Sequence, residues 1–281
     1  MKNIDNLDEL IRMALAEDIG DGDHSTLACI PPDAENAAKM VAKADGVICG
    51  VEVGRRVFEL VDNSLNIKTL KRDGDRVAKG EIIMTIEGHA GSILTAERTA
   101  LNFMQRLSGI ATETNRMVSR LEGLDTKLLD TRKTTPNMRL LEKYAVACGG
   151  GTNHRIGLYD MVMLKDNHID FAGGIEAAID RTRKYLKDNG KNLRIEIEVR
   201  DLDELQCVLD HGGVDRIMLD NFDTATLREA VHRIDHRYET EASGGITDET
   251  LRSYAETGVD FISVGALTHH IKSLDISLVK K

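Results

Sequence analysis

Charged side chains and glycine turns recur in the second half of the chain, each directly after a short apolar run. Arg132 and Lys133 follow Leu128-Leu129, and Lys165 follows the apolar run at residues 161–164. The complete series is Thr131, Arg132, Lys133, Lys165, Glu198, Asp220, Ser243-Gly244-Gly245 and Gly265-Ala266. Arginine forms bidentate contacts with carboxylates and phosphates, whereas lysine supplies a point charge. The series therefore predicts a site for a small anion that carries carboxylate or phosphate groups.

Two glycine turns in this series could bind a phosphate. Ser243-Gly244-Gly245 precedes Ile246-Thr247-Asp248, where we expect a helix to begin, so its backbone N–H groups could cradle a phosphate without a Cβ in the way. Gly265-Ala266 follows the last predicted strand, and α/β barrels often build a phosphate site from their final two loops. Plain tight turns are the alternative for both segments.

Residues 130–168 are basic although the chain as a whole is acidic. The 281 residues include 37 Lys and Arg against 47 Asp and Glu, which gives a net charge of −10. Six Lys and Arg against four Asp and Glu leave residues 130–168 with +2, so the remainder carries −12. An acidic surface opposes nonspecific binding to nucleic acid or to an anionic membrane. We therefore expect neither as a partner, and a small, highly charged substrate instead.

The four cysteines are Cys29, Cys49, Cys148 and Cys207. They form no Cys-x-x-C pair, which argues against a disulfide framework or a zinc site, so we expect four small apolar core residues. Cys148 and His154 could be a nucleophile and its base, but no third group is placed to orient the histidine. Anion binding is the favoured interpretation of this region.

Six short apolar runs, each ending in a polar or glycine group, predict the strands that position the site. They cover residues 128–129, 161–164, 195–198, 217–220, 240–245 and 261–266. Glu198, Asp220, Ala242 and Val264 are each 22 residues apart, the length of one strand and one helix. Repeated βα units form a parallel sheet with right-handed crossovers. Six strands favour an incomplete α/β barrel over an open doubly wound sheet, with the site at the carboxyl ends of the strands.

The first part of the chain has another pattern. Apolar spacing predicts a helix over residues 7–19, and β-type runs broken by glycine cover residues 37–87. Within them, residues 73–87 resemble half of a biotinyl or lipoyl carrier domain but offer no lysine for a prosthetic group, so we interpret them as a structural hairpin. A long helix is predicted from Thr95, its N-cap, to about residue 121, which places Arg98 in the first turn. A cation is disfavoured there unless an anion binds, and a solvated arginine is the alternative.

The composition is that of an ordinary globular protein. With 41% hydrophobic and 30% charged residues, the chain is neither disordered nor fibrous. No stretch approaches the roughly 18 consecutive apolar residues of a membrane span, and Met1-Lys2-Asn3-Ile4-Asp5 holds no apolar signal core. We therefore expect a cytoplasmic protein.

Several long motifs resemble the quinolinate phosphoribosyltransferase family, also called carboxylating nicotinate-nucleotide diphosphorylases. They are LDTRKTTP at 129–136, CGGGTNHR at 148–155, LKDNHI at 164–169 and VGALTH at 264–269. The resemblance extends from LAEDIG at 15–20 through ERTALN at 97–102 to LDIS at 274–277. It implies an N-terminal α/β sandwich over residues 1–112, with residues 270–281 packing back on it, and an incomplete α/β barrel over residues 113–269.

The resemblance also implies a reaction in the biosynthesis of NAD. A phosphoribosyl group passes from 5-phosphoribosyl 1-diphosphate to the nitrogen of quinolinate, which loses its 2-carboxylate. The products are nicotinate mononucleotide, diphosphate and carbon dioxide. Mg²⁺ and a homodimer or homohexamer are implied as well. A related phosphoribosyltransferase-like enzyme that acts on another pyridine carboxylate is the alternative, and a carrier module is the alternative outside enzymes.

Individual residues take roles from the resemblance. Those expected around quinolinate and diphosphate are Thr131, Arg132, Lys133, His154, Arg155 and Lys165. Glu198 and Asp220 would hold the ribose hydroxyls and Mg²⁺, with Glu196 as the nearby alternative to Glu198. Ser243, Gly244, Gly245, Gly265 and Ala266 would bind the 5-phosphate, and Arg98 would come from the neighbouring subunit. Lys133, Lys165, Glu198 and Asp220 are the expected catalytic residues. His270 stands where the family commonly has serine.

Such a reaction explains the residue types. Departure of diphosphate leaves a ribosyl cation, and decarboxylation leaves a carbanion next to a positively charged ring nitrogen. Both steps need fixed electrostatics more than a proton shuttle. Cations and carboxylates without a Ser-His-Asp arrangement are therefore what we expect.

Overall fold

The computed structural model describes residues 6–281, so residues 1–5, the segment without a signal core, lie outside the described residues. The helices are α1 (Leu7–Ile19), α2 (His24–Cys29), α3 (Val51–Val61), α4 (Ala90–Ser119), α5 (Arg139–Cys148), α6 (Asp166–Ala172), α7 (Ile175–Asp188), α8 (Leu202–His211), α9 (Thr224–Ile234), α10 (Leu251–Ala255) and α11 (Ala266–His269). The strands are β1 (Glu35–Ala42), β2 (Gly46–Val47), β3 (Asn66–Thr69), β4 (Arg76–Val77), β5 (Ile82–His89), β6 (Lys127–Leu129), β7 (Val162–Leu164), β8 (Ile195–Val199), β9 (Arg216–Asp220), β10 (Glu239–Ser243), β11 (Phe261–Ser263) and β12 (Ile276–Lys280). None of the described helices combines the length and the apolar character that crossing a membrane requires.

The chain packs as two compact units that are not continuous in sequence. The first contains the described residues up to Asn115 together with Thr134–Gly150 and Ala266–Lys281. The second contains Arg116–Lys133 and Gly151–Gly265. The domain boundaries expected after residues 112 and 269 stay a prediction.

The second unit is built on a six-stranded parallel sheet, as the sequence predicts. Its strand order is β6-β11-β10-β9-β8-β7, and all five neighbouring pairs are parallel. Within the described chain β6 and β7 are the two edges, so the sheet does not close between them. The predicted fold class, an N-terminal α/β sandwich plus an incomplete, six-stranded parallel α/β barrel, is confirmed.

Aspartate caps start two of the helices that connect these strands. Asp201 accepts hydrogen bonds from the backbone N–H groups of Asp203 and Glu204, and Asp223 accepts one from Thr226 at 2.8 Å. Such caps satisfy N–H groups that have no partner within the helix. Each cap follows its strand by only a few residues, so it fixes a short βα loop at the carboxyl edge of the sheet.

The first unit contains a four-stranded antiparallel sheet in the order β12-β1-β5-β3, and β2 pairs with β4 separately. The hairpin predicted over residues 73–87 is wrong, because β4 pairs with β2 whereas β5 pairs with β1 and β3. Two adjacent β-type runs around a glycine meet the local requirement for a hairpin. Strand β5 instead forms a longer ladder with β1, from Glu35 opposite His89 to Val41 opposite Ile82.

Helix α4 begins at Ala90, so the predicted N-cap at Thr95 is wrong. The Thr95 hydroxyl donates to Asp23 at 3.0 Å, and the His89 ring accepts from the Ser92 N–H at 3.4 Å near the actual start. Arg98 is the ninth residue of the helix and is exposed. The unfavourable dipole at the first turn therefore does not act on it, because that effect falls off within one turn.

The expectation that all four cysteines lie in the core is wrong for two of them. Cys29 and Cys207 are exposed, Cys49 is buried and Cys148 is partly buried, and all four are free thiols. Cys207 lies on the solvent side of α8, whose buried residues are Leu205, Val208 and Leu209. Helix α2, which ends at Cys29, has no buried residue.

Candidate active site

A cavity of about 210 Å³ lies where the carboxyl ends of the strands of the second unit meet. Seven residues from the predicted site line it, namely Thr131, Arg132, Lys133, His154, Arg155, Lys165 and Ser243. Met163, Met218, Glu241 and Ser263 complete the lining and were not predicted. The first two add an apolar wall to a strongly basic cavity.

Charged side chains occupy matching register positions on β8, β9 and β10, the strands that lead to this cavity. Arg216 is the register partner of both Glu196 and Glu239, and Met218 is the partner of both Glu198 and Glu241. All five residues of β8 are buried, although two of them are glutamates. Because buried carboxylates need partners, the interior must hold compensating cations.

Two arginines in the cavity lack full compensation for their charge. The Nε of Arg132 is buried and has no hydrogen-bond partner within residues 6–281. Arg155 donates to the Met161 carbonyl at 3.3 Å. Burial, together with the like charge of Arg132, lowers the pKa of Arg155. Two guanidinium groups that repel each other in a concave site are well suited to bind a dianion.

His154 stands against two buried glutamates in the same cavity. Its Nε2 lies 3.0 Å from Oε2 of Glu196 and 3.2 Å from Oε2 of Glu241. Burial of the ring disfavours its charged form, but the two carboxylates outweigh burial and raise the pKa of His154 to about 9. Burial and the neighbouring Glu241 raise the pKa of Glu196 to about 7. Both shifts favour protonation of the cluster at neutral pH relative to separate groups.

The other nitrogen of the His154 ring lies 2.6 Å from the backbone nitrogen of Arg155. An Nδ1 that accepts this hydrogen bond carries no proton, whereas a charged ring carries one on each nitrogen. Both forms carry the proton on Nε2, and only the ring protonated on Nε2 alone lets Nδ1 accept from the Arg155 N–H. In either state, Nε2 faces the carboxylates and Nδ1 faces the backbone.

These three side chains also satisfy the distance requirement for a metal site. Within the described part of the chain, one ligand atom each from His154, Glu196 and Glu241 lies within 4.8 Å of the others. However, Nη1 of Arg216 already lies 3.1 Å from Oε2 of Glu241 and supplies positive charge. We interpret the cluster as a buried ion-pair network, because a cation beside a guanidinium would be repelled.

Glu198 and Asp220 come together beside Lys165. The Lys165 ammonium donates to Oε2 of Glu198 at 3.0 Å, and Asp220 accepts from the Asn221 amide at 2.6 Å. Burial and the negative charge of Glu198 raise the pKa of Asp220, which indicates that the two carboxylates are neighbours. The structure thus brings three of the four expected catalytic residues into one cluster, and Lys133 lines the adjoining cavity.

Ser243-Gly244-Gly245 forms a tight turn, but not at the start of a helix. Gly244 and Gly245 have φ values of 98° and 60°, the left-handed conformation that glycine adopts easily. A Cβ on Gly244 would collide with the Asn221 side chain. The prediction that a helix begins at residues 246–248 is wrong, because α10 begins at Leu251 and has only five residues. The backbone of the turn itself is what could face a phosphate.

The remaining predicted residues lie elsewhere. Gly265 follows β11 in the second unit, whereas Ala266 is the first residue of α11 in the first unit. Arg98 belongs to the first unit as well. Glu196 does not line the cavity and contacts His154 from the interior of the sheet. A spacing of two residues from Glu198 and from Ser243 could have indicated that Glu196 and Glu241 face inward, because alternate strand residues share a face.

Comparison with known proteins covers nearly the whole chain. The protein-family model described as quinolinate phosphoribosyl transferase, N-terminal domain, matches residues 23–108. The family model of the C-terminal domain matches residues 110–279. The chain is 46% identical over 288 residues to a chloroplastic nicotinate-nucleotide pyrophosphorylase [carboxylating] of Arabidopsis thaliana, covering 97% of this chain and 82% of that protein. It is 43% identical over 272 residues to a probable nicotinate-nucleotide pyrophosphorylase [carboxylating] of Bacillus subtilis, covering 97% and 92%.

Solved structures give the same result. The nicotinate-nucleotide pyrophosphorylase of Francisella tularensis superposes with a TM-score of 0.93 at 42% identity, covering 99% of this chain and 96% of that one. Both family models match in order, and relatives more than 40% identical extend over almost the entire length. The chain belongs to the quinolinate phosphoribosyltransferase family of pentosyltransferases.

Proposed function

We propose that the chain transfers a phosphoribosyl group from 5-phosphoribosyl 1-diphosphate to the ring nitrogen of quinolinate. The 2-carboxylate is lost, and the products are nicotinate mononucleotide, diphosphate and carbon dioxide, a step of NAD biosynthesis. The observation that carries the proposal is a single cavity lined by Arg132, Lys133, Arg155 and Lys165, with Glu198 paired to Lys165 at 3.0 Å. It offers cations for two polyanionic substrates and a carboxylate close to them.

Quinolinate fits the chemistry of the cavity. Its two adjacent carboxylates match the guanidinium groups of Arg132 and Arg155, whose mutual repulsion a dianion relieves. Its flat ring could pack between the side chains of Met163 and Met218, which both line the cavity. Thr131 lines the same cavity and could donate its hydroxyl to a substrate oxygen.

Lys133 and Lys165 would stabilise the departing diphosphate. Negative charge develops on the leaving group as the bond to the ribose breaks, and lysine supplies a compact positive charge without moving a proton. Lys165 pairs with Glu198 at 3.0 Å, so the bound substrate would draw the ammonium from the glutamate. Glu198 would then be available to the ribose hydroxyls. The carbanion formed by decarboxylation is stabilised by the positive charge on the ring nitrogen.

Mg²⁺ fits beside Glu198 and Asp220. Burial and the charge of Glu198 raise the pKa of Asp220, and a divalent cation would relieve the repulsion between the two carboxylates. When bound, Mg²⁺ neutralises charge on the diphosphate. Two carboxylates are a small ligand set, which suits an ion that keeps waters and takes its remaining ligands from substrate phosphates.

The 5-phosphate would bind the turn at Ser243, Gly244 and Gly245, with Gly265 and Ala266 as the second segment. The turn offers backbone N–H groups without side chains beyond Ser243, and Gly244 tolerates no Cβ. We further propose a homodimer or homohexamer in which Arg98 serves the neighbouring subunit, and a cytoplasmic location. Fractionation of the source cells, with the activity in the cytosolic fraction, tests the location.

An assay on the purified protein tests the reaction. Quinolinate or nicotinate is supplied with 5-phosphoribosyl 1-diphosphate and Mg²⁺, and nicotinate mononucleotide and carbon dioxide are measured together. We expect one carbon dioxide for each nucleotide from quinolinate, and no nucleotide from nicotinate. Turnover of nicotinate, or of another pyridine carboxylate in preference to quinolinate, would favour the alternative, a related enzyme on the same scaffold.

A further inference from the structure

We propose that Glu196 and Glu241 are positioning residues that fix Arg155, through His154, for the binding of quinolinate. The inference rests on the proposed function and extends it to Glu196 and Glu241, which were not expected to position another side chain. His154 and Arg155 are sequence neighbours in the segment that follows Gly151, and Arg155 lines the cavity.

The segment that carries Arg155 has little regular structure to hold it. Thr152 forms an isolated parallel bridge with Leu129, with its N–H donating to the Leu128 carbonyl at 2.8 Å. The segment therefore adds to the outer edge of β6, where the six-stranded sheet ends. Residues 153–161 form no strand, so side-chain contacts must place them.

One set of contacts holds the backbone of this segment. Asp130 is completely buried, and its Oδ1 accepts a hydrogen bond from the N–H of His154 at 2.8 Å. Its Oδ2 accepts from the side-chain amide of Asn153 at 2.6 Å. The carboxylate at the end of β6 thus fixes two consecutive residues before Arg155.

A second set of contacts, from two strands that do not neighbour β6, holds the His154 side chain. Nε2 lies 3.0 Å from Glu196 in β8 and 3.2 Å from Glu241 in β10, and neither glutamate has exposed surface. Nδ1 lies 2.6 Å from the backbone nitrogen of Arg155. With Nε2–H directed at the carboxylates and Nδ1 accepting from the Arg155 N–H, His154 links the buried glutamates to the backbone of the arginine.

The surroundings of the two glutamates support this role. Arg216 donates to Glu241 at 3.1 Å and to Glu239 at 3.0 Å, so the network continues toward the amino ends of the strands. Glu239 pairs with arginines, Arg194 at 2.8 Å and Arg216 at 2.9 Å, whereas Glu241 pairs with His154 as well. The chain therefore offers a matched control, because Glu239 and Glu241 lie on the same face of the same strand and contact the same arginine.

Quinolinate binding to the complete protein tests the inference. Glu196→Gln keeps the size of the side chain and removes its charge, and we expect the dissociation constant of quinolinate, measured by calorimetry, to rise about tenfold. The KM for the second substrate, 5-phosphoribosyl 1-diphosphate, should change less than twofold. General misfolding would instead raise the KM for both substrates. Glu239→Gln should leave quinolinate binding within twofold of the wild type.

A second background shows whether the effect passes through Arg155. In Arg155→Ala, adding Glu196→Gln should change quinolinate binding less than twofold, because the group being positioned is gone. An undiminished tenfold effect in that background would overturn the inference, and so would wild-type affinity in Glu196→Gln. If Glu196→Gln does not fold, Glu241→Gln is measured in the same two backgrounds with the same expectations.

Two further measurements separate the positioning role from a failure of the proposed function and from a metal site. A wild-type protein that binds no quinolinate would reject the proposed function. Equal quinolinate binding by the wild type, Glu196→Gln and Glu241→Gln would reject only the positioning role. Elemental analysis should find the same metal content in the wild type and in Glu196→Gln. One metal ion per chain that is lost in Glu196→Gln would instead identify the cluster as a metal site and overturn the inference.

Discussion

Glu142 and Arg106 form a buried ion pair that joins four segments of the first unit. The Glu142 side chain has no exposed surface, and its Oε1 accepts from Nε and Nη2 of Arg106 at 2.8 and 2.6 Å. Its Oε2 accepts from the backbone N–H of Thr135 at 3.1 Å. Arg106 also donates to the carbonyl of Thr268 at 3.2 Å. The pair therefore ties α4 to α5, to α11 and to the segment two residues beyond Lys133.

Breaking this pair should cost substantial stability. Glu142→Gln leaves the guanidinium beside a neutral amide, and removing one partner of a buried pair destabilises by about 3 kcal/mol or more. Arg106 is about one-third exposed and screened by solvent, so we expect a somewhat smaller loss, about 2–3 kcal/mol. Urea denaturation measures the change in the free energy of unfolding.

Glu229→Gln is the matched control for this measurement. Glu229 pairs with Arg233 on one exposed helix face, where such pairs contribute about 0.3–0.5 kcal/mol. A loss in Glu142→Gln no larger than the loss in Glu229→Gln would show that burial of the pair does not matter.

Lys133→Ala and Arg155→Ala should each remove transition-state stabilisation. Both side chains line the cavity, and deleting a fixed charge that faces developing charge typically costs at least about 2 kcal/mol. That figure corresponds to about a 30-fold fall in kcat/KM for quinolinate. Lys184→Ala, at a highly exposed lysine that pairs with Asp188 at 2.6 Å, should leave kcat/KM unchanged. Nearly unchanged turnover in either cavity variant would remove that residue from the site.

The strands of the barrel could be predicted because each carries its own local signal. Every predicted run from Leu128-Leu129 to the last strand corresponds to one of β6 to β11, and each ends near a polar or glycine residue. The repeat of 22 residues adds a signal that a single strand lacks. Parallel topology then follows from the βα alternation, since the helices must cover the sheet.

Features that depend on distant partners could not be predicted in this way. Strand β5 looks like half of a hairpin with β4, and only the folded chain shows that its partners are β1 and β3. The alternation of Ile195-Glu196-Ile197-Glu198 is typical of a strand with one solvated face. In the structure every residue of β8 is buried, because β9 brings Arg216, and the segment after Thr152 brings His154, to Glu196.

Removal of divalent cations should abolish the activity. If Glu198 and Asp220 hold Mg²⁺, dialysis against EDTA should stop the formation of nicotinate mononucleotide, and added Mg²⁺ should restore it. Asp220→Asn replaces a charged oxygen ligand by a neutral one, so the Mg²⁺ concentration for half-maximal activity should rise about tenfold. Asp210→Asn, on the exposed side of α8, is the control and should behave as the wild type. Full activity in EDTA would rule out the metal requirement.

Asp248 should stabilise the second unit in a pH-dependent manner. Its Oδ2 lies 2.7 Å from Arg116 and 2.5 Å from Arg120. Burial raises the pKa of Asp248, but the two arginines outweigh burial and lower it below the ordinary value. A carboxyl whose folded pKa is depressed stabilises the fold above its unfolded pKa, and this contribution is lost as the pH falls through the folded value.

We therefore expect Asp248→Asn to be less stable than the wild type at pH 7 and equally stable at the acid end. Both arginines are about half exposed, so the difference at pH 7 should be about 1 kcal/mol. It should shrink below about pH 4, where an unperturbed aspartate is protonated. Urea denaturation at pH 7, 5 and 3 measures it, and a difference that stays constant to pH 3 would exclude an electrostatic origin.

Arg98 should act in the active site of the neighbouring subunit, if the proposed assembly is correct. It is exposed on α4, and Arg98→Ala and Lys133→Ala should each be nearly inactive alone. Random mixing of the two variants into dimers makes half of the dimers mixed, and each mixed dimer has one site with both residues intact. Co-expression should then recover about a quarter of the wild-type activity. Lys133→Ala mixed with Arg155→Ala should recover none, because those residues belong to the same chain's site. If Arg98 instead serves its own subunit, the first mixture will also stay inactive, since every site then lacks one of the two residues.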